Sequence, residues 1–275
     1  MGFLNSILGR VFSLLFLPWR SLNPWLAMIF ISFLTGLFML FIFRWTSNQA
    51  GIRQAKNTIK AHLLEIRLYK DSLPIALQAY GKILRSNLKY VALSAKPMLV
   101  MLLPLLLALT HLNLWFGYEP LRVGDATILK IFWDKNVIPL NTEVELETPD
   151  GLAVETLPLR LEEARETNWR IRAEKEGFYV LKIKPGGVAS ISTAVVVGTR
   201  SLAPICPRRS QRFLDNLFYP GQKPLPSFTS IQSVEIKYPA RRMTFFGLKL
   251  HWLIPYFFLS LVFGFALKRP LGVEI

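Results

Sequence analysis

The sequence predicts an α+β membrane protein: three transmembrane helices, a cytoplasmic antiparallel helical hairpin and an extracytoplasmic β-sandwich. Three observations predict it. Apolar blocks with little or no charge inside them lie at residues 25–44, 97–117 and 244–267. A basic, helix-periodic connection joins the first two blocks, and strand-like alternation fills the stretch between the second and third. Apolar residues make up 52% of the 275, mean hydropathy is +0.33 and only 19% are charged. That balance argues against a wholly soluble chain.

Crossing about 30 Å of hydrocarbon as a helix takes about 20 mostly apolar residues. Trp25 to Phe43 supplies nineteen without a charge, bounded by Trp25 and by Arg44-Trp45. Pro97 to Gly117 supplies twenty-one and ends in the aromatic cluster Trp115-Phe116-Tyr118. The third block carries Lys249 and His251 near its start and Lys268-Arg269 beyond its end. Interfacial Trp and Tyr suit such ends, where a ring is half buried and half wet. Pro104 and Pro255 predict kinks in the second and third spans.

Orientation follows the basic residues of short connections. Residues 44–96 hold ten Lys/Arg against Glu65 and Asp71, a net of +8, whereas only Arg10 and Arg20 precede the first span. The connection is therefore expected in the cytoplasm, with the N-terminus outside and the 268–275 tail inside, in a multi-pass plasma (inner) membrane protein. Residues 118–242 then face outward, where 18 Lys/Arg meet 15 Asp/Glu. More than half of the formal +15 thus follows from topology, and no specific nucleic-acid partner is expected. Residues 1–24 read as an outer-leaflet interfacial segment, with a signal anchor as the alternative.

In residues 45–96, apolar positions Ile52, Ala55, Ile59, Leu63, Ile66 and Tyr69 recur at helical spacing. Asp71-Ser72-Leu73-Pro74 reads as a helix restart, and a second stripe runs through Ala76, Ala79, Tyr80, Ile83, Leu84 and Tyr90 or Val91. Two helices of about 20 residues joined by a short turn predict a coiled-coil-like hairpin about 30 Å long. Its basic face is Arg53, Lys56, Lys60, Arg67, Lys82, Arg85 and Lys89. That face fits anionic headgroups or an acidic partner such as ribosomal RNA or a nascent chain.

From Ala126, period-two segments at 127–133, 142–147, 169–173, 178–183 and 192–197 predict strands. Pro149-Asp150-Gly151, Lys175-Glu176-Gly177 and Pro185-Gly186-Gly187 predict the turns between them. The sandwich is assigned to residues 118–200. Residues 201–243 read as a connector: an amphipathic helix over Pro207 to Phe218, a Pro-rich stretch, and an edge strand over Ser230 to Tyr238.

No paired carboxylates, phosphate loop, metal spacing or nucleophile arrangement is present, so neither catalysis, a metal nor a cofactor is expected. His111 and His251 fall toward the outer ends of their spans, and two ligands do not make a metal site. Cys206 reads as a small packing residue rather than a reactive thiol. Polar residues inside spans are site candidates because hydrocarbon cannot solvate them. Ser32, Thr35, Thr110 and Ser260 lie nearest mid-span, with Arg44 at the cytoplasmic end. They line a groove or only join helices; Gly36 would assist the second role.

Glu174 to Leu181 resembles the lead-in to the penultimate strand of immunoglobulin-like domains, where a Gly turn precedes an aromatic and alternating apolar positions. Without the two cysteines of antibody domains, it is similar to the disulfide-free bacterial kind. The order of first span, basic hairpin, second span and returning third span resembles the YidC/Oxa superfamily of membrane insertases, over residues 25–117 and 245–267. That resemblance implies a groove lined by Ser32, Thr35 and Arg44, and a hairpin over Ile52 to Tyr90 that recruits incoming chains. The β-domain departs from the pattern by lying between the second and third spans. The expected function is insertion or assembly of other membrane proteins or nascent chains. The alternative is a non-catalytic scaffold in an envelope complex, holding an envelope protein at its outer domain.

Overall fold

Apolar runs too long for one face of a soluble helix, together with well-separated period-two segments, fold here into mixed α and β structure. A computed structural model describes residues 2–69, 71–186, 190–198, 202–227 and 229–274. Gly187 of the third expected turn lies outside the described residues. The chain forms two compact units, Met1–Ala27 with Ala108–Trp252, and Met28–Leu107 with Leu253–Ile275. The division falls inside two helices, α2 (Pro24–Thr46) and α4 (Leu73–Phe116).

The helical unit contains most of α2 and α4, all of α3 (Gln49–Leu68), and α6 (Leu253–Leu267). Asn48 caps α3, its side chain accepting the Gly51 N–H at 2.9 Å, which satisfies one of the orphan donors at a helix start. The α3–α4 hairpin is antiparallel. Lys56 lies 5.9 Å over the Tyr90 ring, and Lys82 reaches Glu65 at 3.5 Å nearer the turn. Ile52 and Ala55 of the first expected stripe and Ala79 of the second are buried, whereas Leu63 and Tyr69 of the first and Tyr80 and Leu84 of the second are exposed.

Two boundaries differ from expectation. The second helix of the expected hairpin (45–96) and the expected second span (97–117) are one continuous 44-residue helix, with Pro97 and Pro104 inside it. Each proline removes one backbone donor. The good helix formers on either side, Ala92 to Ala95 and Met98 to Leu103, continue the ladder, and no glycine or cap intervenes. The third block (244–267) is not one helix. Strands β10 (Arg242–Phe245) and β11 (Leu248–His251) pair antiparallel through a two-residue turn, with Phe246 at φ 48° and Gly247 at φ 80°. Positive φ at both central residues matches the twist of the flanking strands. Only fifteen residues remain for α6, about 22 Å of rise. Among the described residues, α2 and α4 are long and apolar enough to cross a membrane, and α6 is a shorter apolar helix.

The β unit is antiparallel throughout its ladders. One sheet has the order β3 (Leu152–Val154), β5 (Glu166–Ala173), β1 (Ala126–Trp133), β9 (Ile231–Ile236), β8 (Arg208–Ser210), with β4 (Leu159–Leu161) also on β5. The other is β2 (Val144–Glu147), β6 (Gly177–Pro185), β7 (Ile191–Val197). Their alternate residues share one apolar cluster that includes Leu129, Ile131, Trp169, Ile171, Leu181, Ile183 and Val195. Each fully buried aliphatic of this kind contributes about 1.5–3 kcal/mol. Tyr179 begins β6, and its hydroxyl donates to the carbonyls of Lys175 (2.9 Å) and Glu176 (3.2 Å).

The sheets do not end at residue 200. Ala203, Ile205, Leu225, Val234 and Ile236 belong to the same cluster, which joins the expected connector to the β unit. The segment from Ser230 supplies β9, an interior strand between β1 and β8 rather than an edge. The amphipathic helix expected over Pro207 to Phe218 is instead β8 followed by the six-residue α5 (Phe213–Phe218). The ladder explains the exchange, because Arg208 pairs opposite Glu235 and Ser210 opposite Ser233. At the N-terminus, α1 (Gly2–Phe16) packs Phe16 against Trp115 (4.7 Å) and Phe116 (5.6 Å), while Ile7, Val11 and Leu14 remain exposed.

Candidate functional site

Ser32, Thr35 and Gly36 recur at helical spacing on α2, so they share a face. Tyr256, Ser260 and Gly264 do the same on α6. The two faces meet. Ser32 is fully buried and its hydroxyl donates to the Tyr256 carbonyl at 3.4 Å. The Tyr256 hydroxyl donates to Thr35 Oγ1 at 3.2 Å. A methyl group on Gly36 would stand 2.9 Å from the Ser260 carbonyl oxygen and 3.3 Å from the Gly264 nitrogen. Small residues and hydroxyls are what let two apolar helices approach this closely. The residue numbers of the contacting pairs rise together along both helices, from Ser32 with Tyr256 to Gly36 with Ser260 and Gly264, so α2 and α6 run parallel.

Beside this contact, α2, α4 and α6 line a half-open cavity of about 340 Å³. One wall is a stripe of α4, Tyr90, Ser94, Met98, Met101 and Leu105, and Thr35, Met39 and Phe43 come from α2. Tyr256, Ser260 and Phe265 come from α6. The lining is aliphatic, aromatic and thioether with a few hydroxyls, and no charged side chain belongs to it. Ser94 Oγ is buried there with no hydrogen-bond partner among the described residues. A lone buried hydroxyl of this kind keeps an unmet hydrogen-bonding capacity. Flexible methionines fit themselves to irregular apolar shapes, so the cavity suits an apolar guest that brings an occasional polar group.

Of the residues singled out in the sequence, Thr35 and Ser260 line the cavity and Ser32 anchors the adjoining helix contact. Thr110 belongs to the other unit. Arg44 is exposed and absent from the lining; its Nη1 donates to the Leu271 carbonyl at 2.9 Å. The expectation that it faces a groove gives way to a local reason. The turn after α6 leaves carbonyls without helical partners, and the guanidinium takes one of them. Sequence reasoning missed Tyr256, Ser94 and the methionines. Their helical spacing was readable, but nothing in their chemistry set them apart from an ordinary apolar stripe.

The basic face is only partly free. Arg53 and Lys56 reach Glu274 at 3.4 and 3.6 Å, and Gln49 Oε1 accepts the Glu274 N–H at 2.7 Å. Val273 is buried with Leu40, Phe43 and Ile52, which seats the C-terminal segment on the α2–α3 elbow. Lys82 bridges to Glu65, whose carboxyl His62 also contacts at 2.7 Å. The hydrogen bond from His62, helped by Lys82, holds the Glu65 carboxyl below the usual carboxylate range. Lys60, Arg67, Arg85 and Lys89 remain exposed.

In the β unit, burial pushes the Cys206 thiol up to about 11. No group of three or more His, Cys, Asp or Glu side chains that could hold a metal occurs among the described residues. No protein family, curated protein or solved structure matches the chain.

Proposed function

We propose that the protein acts in the insertion or assembly of other membrane proteins, receiving an apolar segment in the cavity among α2, α4 and α6. That cavity carries the reading: it is apolar, methionine-lined and hydroxyl-bearing, and it lies along two helices able to cross a membrane. In this reading α6 makes the third crossing, parallel to α2, and the net +8 of residues 44–96 holds the hairpin in the cytoplasm. The N-terminus is outside the plasma membrane, with the exposed Ile7, Val11 and Leu14 of α1 in the outer leaflet. On this reading the order of helices is similar to that of the YidC/Oxa insertases.

The outer β unit is read as an immunoglobulin-like sandwich. Two features support this. Strands β3/β4–β5–β1 on one sheet and β2–β6–β7 on the other follow the D–E–B and C–F–G order of such domains. Tyr179 hydrogen-bonds backbone just upstream at the start of β6, the tyrosine corner found in that position.

A scaffold role is the second reading, favoured by Leu157, Leu159 and Leu161, which are 88%, 59% and 39% exposed on and beside β4. A photocrosslinking residue at Met101 and another at Leu157, in living cells, separate the two. Capture of many unrelated newly made membrane proteins at Met101 is the expected result. One stable envelope protein at Leu157, with no nascent chain at Met101, overturns insertion in favour of the scaffold.

A further inference from the structure

The chain turns back on itself just after α6. Gly272 takes φ 63°; its N–H donates to the Arg269 carbonyl at 3.0 Å, and the Val273 N–H donates to the Lys268 carbonyl at 2.9 Å. These two bonds are the Schellman stop of a helix, with glycine at the left-handed position because it has no Cβ to clash. The motif returns the next residue onto the last apolar turn. Val273 is accordingly buried in a cluster with Leu40 and Phe43 of α2 and Ile52 of α3, against which Leu267 and Leu271 pack. Glu274 then reaches Arg53 at 3.4 Å and Lys56 at 3.6 Å, and its N–H donates to Gln49 Oε1 at 2.7 Å. Seven residues thus tie the end of α6 to the base of the α3–α4 hairpin.

This tie shares its side chains with the cavity. Leu40 and Phe43 belong to the Val273 cluster, Tyr90 and Met101 pack against it, and all four also line the cavity. Phe43 on α2 and Tyr90 on α4 are the lining residues nearest the hairpin, so Val273 backs the hairpin end of the cavity. We infer that residues 268–274 form a latch that shuts this end, and that its release opens the cavity from the hairpin side. The fastening suits a reversible closure. The Arg53 side chain is 67% exposed and that of Glu274 35%, and exposed ion pairs add little stability in water. Val273 is the only buried residue from Lys268 to Glu274. A segment held so lightly can open locally while the helices beneath it stay folded. The close contact of Gly36 with α6 begins about two turns of α2 away from Phe43, so it need not change. As the gate of a receiving site the latch rests on the proposed function; as a closure of the cavity it stands without it.

The test uses the full chain in lipid nanodiscs, in a Cys206→Ala background, with Ser94→Cys as a reporter inside the cavity. Its rate of reaction with a water-soluble maleimide is compared with and without Glu274→Arg, which sets like charges against Arg53 and Lys56. Labelling should become roughly tenfold faster. Adding Arg53→Glu and Lys56→Glu to Glu274→Arg rebuilds the pairs with their signs exchanged and should restore the slow rate. An unchanged rate in Glu274→Arg would overturn the latch. A rise that the exchanged pairs fail to reverse would reflect general loosening and overturn it as well. Capture at Met101 in cells reads the gating role separately: a faster, reversible Ser94→Cys rate with no nascent chain at Met101 upholds the latch and removes the insertion reading.

Discussion

Two glycines of the α2–α6 contact make opposite predictions. Gly36 faces the Ser260 carbonyl oxygen, and an added Cβ would stand 2.9 Å from it, 3.3 Å from the Gly264 nitrogen and 3.4 Å from Phe263 Cβ. Ordinary carbon–oxygen contacts begin near 3.3 Å. Gly36→Ala therefore asks the helices to part by roughly half an ångström against backbone atoms, which have no rotamer to yield. Overpacking of this kind costs about 1–3 kcal/mol. The parting would also stretch the Ser32 bond to the Tyr256 carbonyl, already 3.4 Å long. Gly264, one helix away, meets nothing within 4 Å where its Cβ would be, so Gly264→Ala should be neutral or slightly stabilising through its better helix propensity. The assay is the thermal midpoint of detergent-solubilised protein, followed by fluorescence-detected size-exclusion chromatography. Gly36→Ala should lower it by roughly 3–10 °C, and Gly264→Ala should leave it within a degree or two. Equal shifts for both, or none for Gly36→Ala, would refute the close-packed contact.

Three further predictions follow from other parts of the chain. Tyr179→Phe removes the hydroxyl bonded to Lys175 and Glu176 and should cost about 0.5–1.5 kcal/mol. Gly151→Ala should cost more, because φ is 109° there and the new methyl would strike the Tyr179 ring and hydroxyl; denaturant melts of the β unit's tryptophan fluorescence would rank the two. With its thiol raised to about 11, Cys206 is about one part in a thousand thiolate at pH 8, so maleimide labelling should be slow until the protein unfolds. Rapid stoichiometric labelling of native protein would contradict its burial. Glu65, with its carboxyl held low in the folded state, stabilises the hairpin above its unfolded pKa. That contribution should fade as acidification passes through its lowered folded value. Hydrogen exchange of α3 between pH 5 and 3 should show the loosening, and Glu65→Gln should remove the pH dependence.

Much of the helical unit could be read without coordinates because each reading used local periodicity. The Ile52–Ala55 seam and the restart at Ser72-Leu73-Pro74 appear where they were expected. Local rules failed where two patterns overlap. Met243, Phe245, Leu248 and Leu250 are apolar enough to extend a span, yet the turn at Phe246-Gly247 makes them a hairpin. Pro97 looked like a boundary, but helix formers on both sides carried the ladder across it.

By itself, the sequence determined that this chain is apolar enough for a membrane, that more than half of the net positive charge lies in one helical connection, and that strands fill the segment after the second apolar block. These properties depend on residue type and spacing alone. Tertiary structure decided the rest. It drew β8 and β9 into the β sheet, gave Arg44 to a carbonyl at the end of the chain, and gathered Tyr90, Ser94, Met101, Thr35 and Tyr256 around one cavity. Those residues are up to 221 positions apart, and their meeting depends on which faces of three helices pack together. No local pattern encodes that choice, because every turn of an all-apolar helix offers a usable face.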